Sequence, residues 1–272
     1  MRLDGELLLI GCGKMGGAML EGWLAQGLPP GEVVIVEPGP EIGAGLTRRG
    51  LRHVSQGALL PEELRPAVIL LAVKPQMMEA AIADLGPVVR PGTLVLSIAA
   101  GKTLGYFERS FGAGTAVVRA MPNTPAAVGR GITVAVGNEE VTPAQRATAD
   151  ALLAAVGEVS WVEEESLIDA VTAVSGGGPA YVFLLMEVLA EAGIASGLPP
   201  DLARRLARRT VEGAGELSRL SQESPEILRK NVTSPAGTTL EALKILMAED
   251  GLQPLFTRAI AAATRRSREL AD

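Results

Sequence analysis

The chain has 272 residues, 47% of them hydrophobic, and a formal net charge of −6; the length allows two domains, and the charge disfavours nucleic acid or an anionic membrane as the main partner. The single cysteine excludes an internal disulfide and indicates a reducing compartment, so we expect a cytoplasmic protein. The single histidine, His53, which we expect at the surface, disfavours a metal site or a nucleophilic triad and indicates that a cofactor supplies the chemistry.

The first 160 residues alternate short β-branched runs with helical stretches, which is the pattern of a doubly wound α/β sheet. We predict such a domain over residues 1–164. Its predicted strands are Leu7–Ile10, Val33–Val36, Val68–Val73, Leu94–Ile98, Ala116–Val118, Ile132–Val136 and Val159–Val162. Its predicted helices are Met15–Gln26, Pro75–Leu85 and Pro143–Val156, the last with Thr142 as N-cap.

The rest of the chain is predicted to be an all-helical domain over residues 165–272. Its helices are Tyr181–Ser196, Asp201–Leu220, Thr239–Glu249 and Leu255–Leu270. Such long apolar helices in a short segment indicate that a partner subunit completes their burial. No window reaches the roughly 18 consecutive apolar residues of a membrane span. The N-terminus lacks a basic region followed by a long apolar stretch, so we expect no targeting segment.

A glycine-rich turn between the first predicted strand and helix matches the fingerprint of a dinucleotide site. In that fingerprint the first glycine allows a tight turn, the second lets the backbone approach the pyrophosphate, and the third lets helix and strand pack closely. The helix N-terminus also offers free N–H groups to phosphate. The predicted cofactor-binding residues here are Ile10, Gly11, Cys12, Gly13, Lys14, Met15 and Gly16.

Glu37 lies at the end of the second predicted strand. In dinucleotide-binding domains a carboxylate at this position accepts hydrogen bonds from the ribose hydroxyls of NAD and repels a 2′-phosphate. A solvated charge at a strand end is the alternative reading. Arg48 and Arg49 follow a dozen residues later and leave phosphate binding open. The cofactor is therefore NADPH or NADH, with Glu37 favouring NADH.

Two further strands end where ligands bind in open α/β sheets. Ala72–Pro75 closes one of them with a lysine, Lys74, which equally fits an ordinary exposed side chain. Ser97–Gly101 closes the next with small residues that admit a flat ring.

Two polar turns open helices in the second domain. In the segment Asn231–Leu243, Thr238 and Glu241 match a capping box, and the same helix start could bind a carboxylate. The glycine turn Ser175–Tyr181 fits a ligand contact, a hinge or a tight helix crossing. The acidic run of residues 163–165 before it is expected to be solvated.

Together these stretches resemble the pyrroline-5-carboxylate reductase family over nearly the whole chain. The resembling segments are Gly11–Gly16, Ala72–Pro75, Ser97–Gly101, Met121–Pro125, Ser175–Tyr181 and, most specifically, Val232–Leu243. The sequence departs from the family with Ala236 and Gly177, where relatives commonly carry glycine and serine. It also departs with Glu37, where NADPH-using relatives carry a small hydroxyl residue.

The resemblance implies a Rossmann domain, a helical domain that forms a homodimer, often a ring of dimers, and reduction of 1-pyrroline-5-carboxylate to L-proline in proline biosynthesis. It implies a catalytic role for Thr239, with its hydroxyl near the imine nitrogen. The substrate-binding positions implied are Glu165, Asn231, Ser234, Gly237, Thr238 and Thr239. The further cofactor-binding positions implied are Ala72, Val73, Lys74, Pro75, Ala99 and Ala100.

Of three alternatives, the first is disfavoured by the sequence and the other two stay open. A β-hydroxyacid dehydrogenase needs a lysine on its interdomain helix, and Ala180–Ala195 has none. A reductase of another cyclic imine and a non-catalytic NAD(H)-binding regulatory protein are the other two.

Overall fold

The structure is a computed structural model, which describes residue 3 and residues 5–271. Its described strands are β1 (Glu6–Ile10), β2 (Val33–Val36), β3 (Arg52–Val54), β4 (Pro66–Leu71), β5 (Leu94–Ser97), β6 (Ala116–Met121), β7 (Gly131–Gly137) and β8 (Gly157–Trp161). Its described α-helices are α1 (Lys14–Ala25), α2 (Pro40–Arg48), α3 (Met78–Ile82), α4 (Leu104–Phe111), α5 (Pro143–Ala154), α6 (Leu167–Val171), α7 (Gly178–Ala195), α8 (Pro200–Leu220), α9 (Pro225–Asn231), α10 (Thr238–Leu246) and α11 (Leu252–Glu269).

The strands form one sheet in the order β3-β2-β1-β4-β5-β6-β7-β8. The first six strands along the chain pair in parallel, and β7 runs antiparallel to β6. The predicted doubly wound fold is confirmed, with the antiparallel strand as a departure from a wholly parallel sheet. The strand order reverses between β1 and β4, which is the point where such sheets bind ligands.

Alternate side chains of the central strands enter two separate cores, one on each face of the sheet. On β1, Leu7 and Leu9 join one core, and Leu8 and Ile10 join the other. This two-sided burial explains why the central strands are apolar without alternation. Trp23 of α1 anchors one face, fully buried and donating from Nε1 to the carbonyl of Leu152 at 2.8 Å.

The α/β strand and helix limits differ from the predicted ones in a few places. The predicted helix over Pro75–Leu85 is a 3-10 turn at Pro75–Met77 followed by the five-residue α3. Thr142 caps α5 as predicted, in a full capping box with Gln145. His53, expected at the surface or in a loop, lies partly exposed on the edge strand β3.

The chain divides into two compact units. The sheet unit extends to Gly176 and includes the chain again from Ala263, and the helical unit is Gly177–Ala262. This division falls elsewhere than the predicted domain limit at residue 164, which stays a prediction.

Many apolar side chains of the helical unit are exposed in the single chain. On α7, Phe183 is 57% exposed and Leu184 is 55% exposed. By length and composition, the helical stretch Leu167–Ala195 could cross a membrane. Its mean hydropathy is 1.4 over an 18-residue window, and 11% of that window is buried inside the protein.

Candidate functional site

The glycine turn after β1 is tight because three backbone segments meet there. Gly11 has a φ of +90°, and its N–H donates to the carbonyl of Val36 at 2.8 Å. A methyl group at Gly16 would overlap the carbonyl oxygen of Gly11, and one at Gly11 would lie 2.9 Å from Cγ1 of Val73. Only glycine fits these two positions without a shift of the turn.

Gly13 is open on the side where a ligand would approach. It is the N-cap of α1, no side chain caps this helix, and a methyl group at Gly13 would meet no protein atom within 4 Å. The start of a twelve-residue helix therefore presents uncapped backbone N–H groups beside an open glycine. This arrangement fits the pyrophosphate of a dinucleotide.

The rest of the turn is divided between core and solvent. Ile10 is the last residue of β1 and is buried, whereas Lys14 is exposed and Met15 is half-buried. Burial, and after it the charge of Glu37, raises the pKa of the Cys12 thiol to about 11, so the thiol is protonated at neutral pH. Among the described residues, no group of three His, Cys, Asp or Glu side chains could hold a metal ion.

Glu37 is a buried carboxylate fixed at the end of β2, and only 8% of its surface is exposed. Its Oε2 accepts from the N–H of Cys12 at 2.7 Å, and its Oε1 accepts from the N–H of Gly39 at 2.8 Å. His53 donates from Nε2 to the backbone carbonyl of Glu37 at 2.8 Å. The reading of Glu37 as a solvated charge is therefore wrong.

The ends of β4 and β5 lie beside the turn on the other side. The N–H of Ala72 donates to the carbonyl of Ile10 at 2.8 Å, and Val73 faces Gly11. Lys74 is exposed, and Pro75 starts the 3-10 turn. After β5, the described residues at this edge include the buried Ala99 and the half-buried Ala100.

The structure thus brings residues of three neighbouring strand ends into contact: the glycine turn, Glu37, and Ala72 with Val73. Ala99 and Ala100 follow the next strand in the sheet, and Lys74, directly after Val73, has an exposed side chain. These small and glycine residues leave backbone accessible at the switch point of the sheet, as a dinucleotide requires.

Glu165 belongs to the sheet unit and makes a connection that sequence reasoning missed. Its Oε1 accepts from Nη1 of Arg119 at 2.7 Å and from the N–H of Leu104 at 2.9 Å. The Arg119 side chain is 4% exposed, and its Nη2 is buried without a partner among the described residues. The expectation that residues 163–165 are all solvated is therefore wrong for Glu165.

The other predicted substrate residues lie together in the helical unit, in the turn between α9 and α10. Asn231 ends α9, and its Nδ2 donates to Oε2 of Glu223 at 2.9 Å. A methyl group at Gly237 would overlap Oγ of Ser234, so a larger residue there would require the Ser234 side chain to rotate away. Ala236, before Gly237, has a φ of 55°, a left-handed conformation that glycine adopts more easily.

The predicted capping box at this turn is wrong. The helix begins at Thr238, so its N-cap is Gly237, and no side chain caps it. A box requires Thr238 to be the N-cap, and here it is already the first helical residue. Thr238 and Thr239 are exposed, and their turn offers backbone N–H groups and two hydroxyls to a ligand.

We expect the substitution Gly13→Ala to weaken NADH binding by about tenfold to a hundredfold, with a loss of stability of only about 1 kcal/mol because alanine is a poorer N-cap than glycine. The new methyl group meets no protein atom, but it stands where the pyrophosphate must approach. The measurement is a titration of NADH fluorescence, with thermal unfolding in parallel. In the control Gly17→Ala the methyl group lies 3.6 Å from Cys12 O, an ordinary contact, so binding should be unchanged. Wild-type affinity in Gly13→Ala would contradict the placement of the pyrophosphate.

Comparison with protein families matches both parts of the chain. Residues 165–270 match the family described as pyrroline-5-carboxylate reductase dimerisation. Residues 6–101 match the family described as NADP oxidoreductase coenzyme F420-dependent.

Curated relatives and solved structures extend the match to nearly the full length. The pyrroline-5-carboxylate reductase of Pseudomonas aeruginosa is 40% identical over 98% of this chain and 97% of its own. That of Synechocystis is 42% identical over 97% of this chain and 98% of its own. A pyrroline-5-carboxylate reductase structure from Coxiella burnetii aligns with a TM-score of 0.92 and 34% identity, covering 99% of this chain and 100% of that one. The Plasmodium falciparum enzyme with NADP bound aligns at 0.81 with 28% identity, covering 99% of each chain.

Proposed function

The chain belongs to the pyrroline-5-carboxylate reductase family, and from this we propose that it reduces the C=N bond of 1-pyrroline-5-carboxylate with NAD(P)H to give L-proline, the last step of proline biosynthesis. The supporting observation is the presence of two sites in one chain of this family. One is the open glycine turn of residues 11–16, and the other is the polar helix start of residues 231–239. The domain limits we propose are 1–164 for the dinucleotide and 165–272 for substrate binding and dimerisation.

The residues that we assign to the dinucleotide are those of the strand ends already described. The backbone of Gly11–Gly16 would hold the pyrophosphate, Glu37 the ribose, and the small residues after β4 and β5 the rest of the molecule. When bound, the dinucleotide supplies the hydride. The chain's own contribution is to position the dinucleotide and, with small residues at the strand ends, to leave room for it.

In the helical unit, the residues that we assign to the substrate are those around the start of α10. In the sheet unit, Glu165 is the one position that we assign to the substrate. The N–H groups of Gly237 and Thr238 would bind the carboxylate of the substrate, where the positive end of the helix dipole favours an anion. In this structure the N–H of Gly237 donates to the carbonyl of Ser234 at 3.1 Å, so it would exchange that bond for the substrate. The hydroxyl of Thr239 would bind the ring nitrogen. Ser234 and Asn231 would shape the turn that presents these groups.

The proposed reaction does not require a side chain to act as a strong general acid or base. If the imine arrives protonated, its carbon is already electrophilic, and the transferred hydride completes the amine without a further proton. His53, the single histidine, is bonded to the backbone of Glu37 and takes no part in this scheme. Positioning of the two reactants should therefore supply most of the rate.

The family match to a dimerisation domain supports self-association, and the exposed apolar side chains of α7 are the surface we assign to it. We propose a homodimer, with a ring of dimers as the larger assembly. We also propose a cytoplasmic location, with neither nucleic acid nor membrane as a partner.

Absorbance at the nicotinamide band tests the function directly. We expect loss of reduced cofactor only when 1-pyrroline-5-carboxylate is added, with L-proline as the product. Loss with other cyclic imines but not with this one would instead identify a different imine reductase. Binding of the cofactor without any turnover would identify a regulatory NAD(H)-binding protein.

A further inference from the structure

We propose that Glu37 excludes the 2′-phosphate of NADPH, so that NADH is the preferred hydride donor of this chain. The inference rests on the proposed function, because it concerns the dinucleotide of the same reaction. It assigns a specificity-determining role to one buried carboxylate.

The Glu37 carboxylate is held in place before any ligand binds. Each of its oxygens accepts a backbone N–H, from Cys12 and from Gly39, at 2.7 and 2.8 Å. Because one of these donors belongs to the glycine turn, the carboxylate is fixed against the loop that would hold the pyrophosphate. Moving it away from a phosphate would break both bonds. It therefore presents a fixed negative charge at the ribose end of the site.

Among the described residues, Lys14 is an exposed cation at the start of α1, and the other basic side chains near β2 are paired or distant. The stretch from Pro38 to Thr47 contains neither lysine nor arginine. Arg49 is paired with Glu21, at 2.5 and 3.0 Å. Arg48 ends α2, roughly 12 Å along the helix from its first residue at 1.5 Å per residue.

The basic side chains on the neighbouring strands are also either paired with an acidic residue or distant from Glu37. Arg52 on β3 is paired with Glu6. Lys74 follows β4, two strands from β2 and so about 10 Å across the sheet. A 2′-phosphate beside Glu37 would place two negative charges together, whereas a ribose 2′-hydroxyl donates a hydrogen bond to the carboxylate.

The test is a comparison of dissociation constants, measured without substrate by nicotinamide fluorescence. We expect the wild-type protein to bind NADH at least about tenfold more tightly than NADPH. Glu37→Gln should bring this ratio close to one, and Glu37→Asp, which keeps the charge, should retain a preference for NADH. The matched control is Glu41→Gln, an exposed carboxylate on α2, which should leave the ratio unchanged.

A second probe examines the subsite without the nicotinamide. ADP and adenosine 2′,5′-bisphosphate compete with NADH, and the wild-type protein should favour ADP, whereas Glu37→Gln should gain affinity for the 2′-phosphate. Equal or tighter NADPH binding by the wild-type protein, or a wild-type ratio in a folded Glu37→Gln variant, would overturn the inference. Turnover of 1-pyrroline-5-carboxylate with NADPH in that case would leave the proposed function intact, so the two failures are distinguishable.

Discussion

Replacing Glu165 with alanine is expected to lower the free energy of unfolding of the sheet unit by about 3–5 kcal/mol, the range for breaking a buried ion pair from one side. Arg119 would keep its charge inside the protein, 4% exposed, with its acceptor gone. Nη2 of Arg119 already lacks a partner among the described residues. The N–H of Leu104 at the start of α4 would lose its acceptor as well. Because the Glu165 side chain is 28% exposed, water can reach the position that it leaves and solvate Arg119, which places the expected loss towards the lower end of this range.

The measurement is urea unfolding followed by tryptophan fluorescence, because both tryptophans, Trp23 and Trp161, lie in the sheet unit. Glu163→Ala is the matched control from the same acidic run. Its side chain is 88% exposed and lies 3.9 Å from Arg146, so we expect a change within about 0.5 kcal/mol. If Glu165→Ala were as stable as Glu163→Ala, the Arg119–Glu165 ion pair would contribute nothing to the stability of the sheet unit.

A double-mutant cycle separates the pair from its surroundings. Adding Arg119→Met to Glu165→Ala removes the uncompensated charge, so the double variant should recover part of the lost stability. A double variant whose loss of stability equals or exceeds the sum of the two single losses would contradict a direct interaction between these side chains.

The sheet could be predicted from local sequence because its central strands are apolar on both faces. The strands that were missed or shortened lack this signal. β3 is only three residues long, Arg52–Val54, and lies at the edge with polar side chains. α2 was not predicted, because the glycines at 43 and 45 are poor helix formers, although Pro40 occupies the first helical position, where proline is favoured.

In the candidate site, too, features that depend on neighbouring residues could be predicted, and contacts between distant residues could not. The glycine turn is a local pattern, and the structure gives it the tight geometry that the pattern predicts. Arg119 lies 46 residues from Glu165 in the sequence, and no local sequence pattern around either residue predicts that they form an ion pair. The one available signal was an arginine within the apolar run of β6, a residue that is rarely buried unless it is paired.

Thr239→Ala is expected to lower turnover by roughly one to three decades, the range for losing one positioned polar partner of the reacting group. The exposed hydroxyl of Thr239 sits in the first turn of α10, beside the N–H groups that we assign to the substrate carboxylate. Because the hydroxyl would bind the nitrogen and not the carboxylate, the loss should be in kcat more than in KM. Steady-state kinetics with saturating NADH measure both.

The neighbouring threonine is the matched control, since it lies in the same turn and is equally exposed. Thr238 would act through its backbone N–H, which alanine keeps, so Thr238→Ala should stay close to the wild type in kcat. Thr239→Ser restores a hydroxyl and should recover much of the rate, whereas Thr239→Val keeps the shape and should not. Wild-type kinetics in Thr239→Ala would remove its hydroxyl from the mechanism. Equal losses in Thr238→Ala and Thr239→Ala would instead mean that the turn is sensitive to any change, because α10 has no side-chain cap to fix its start.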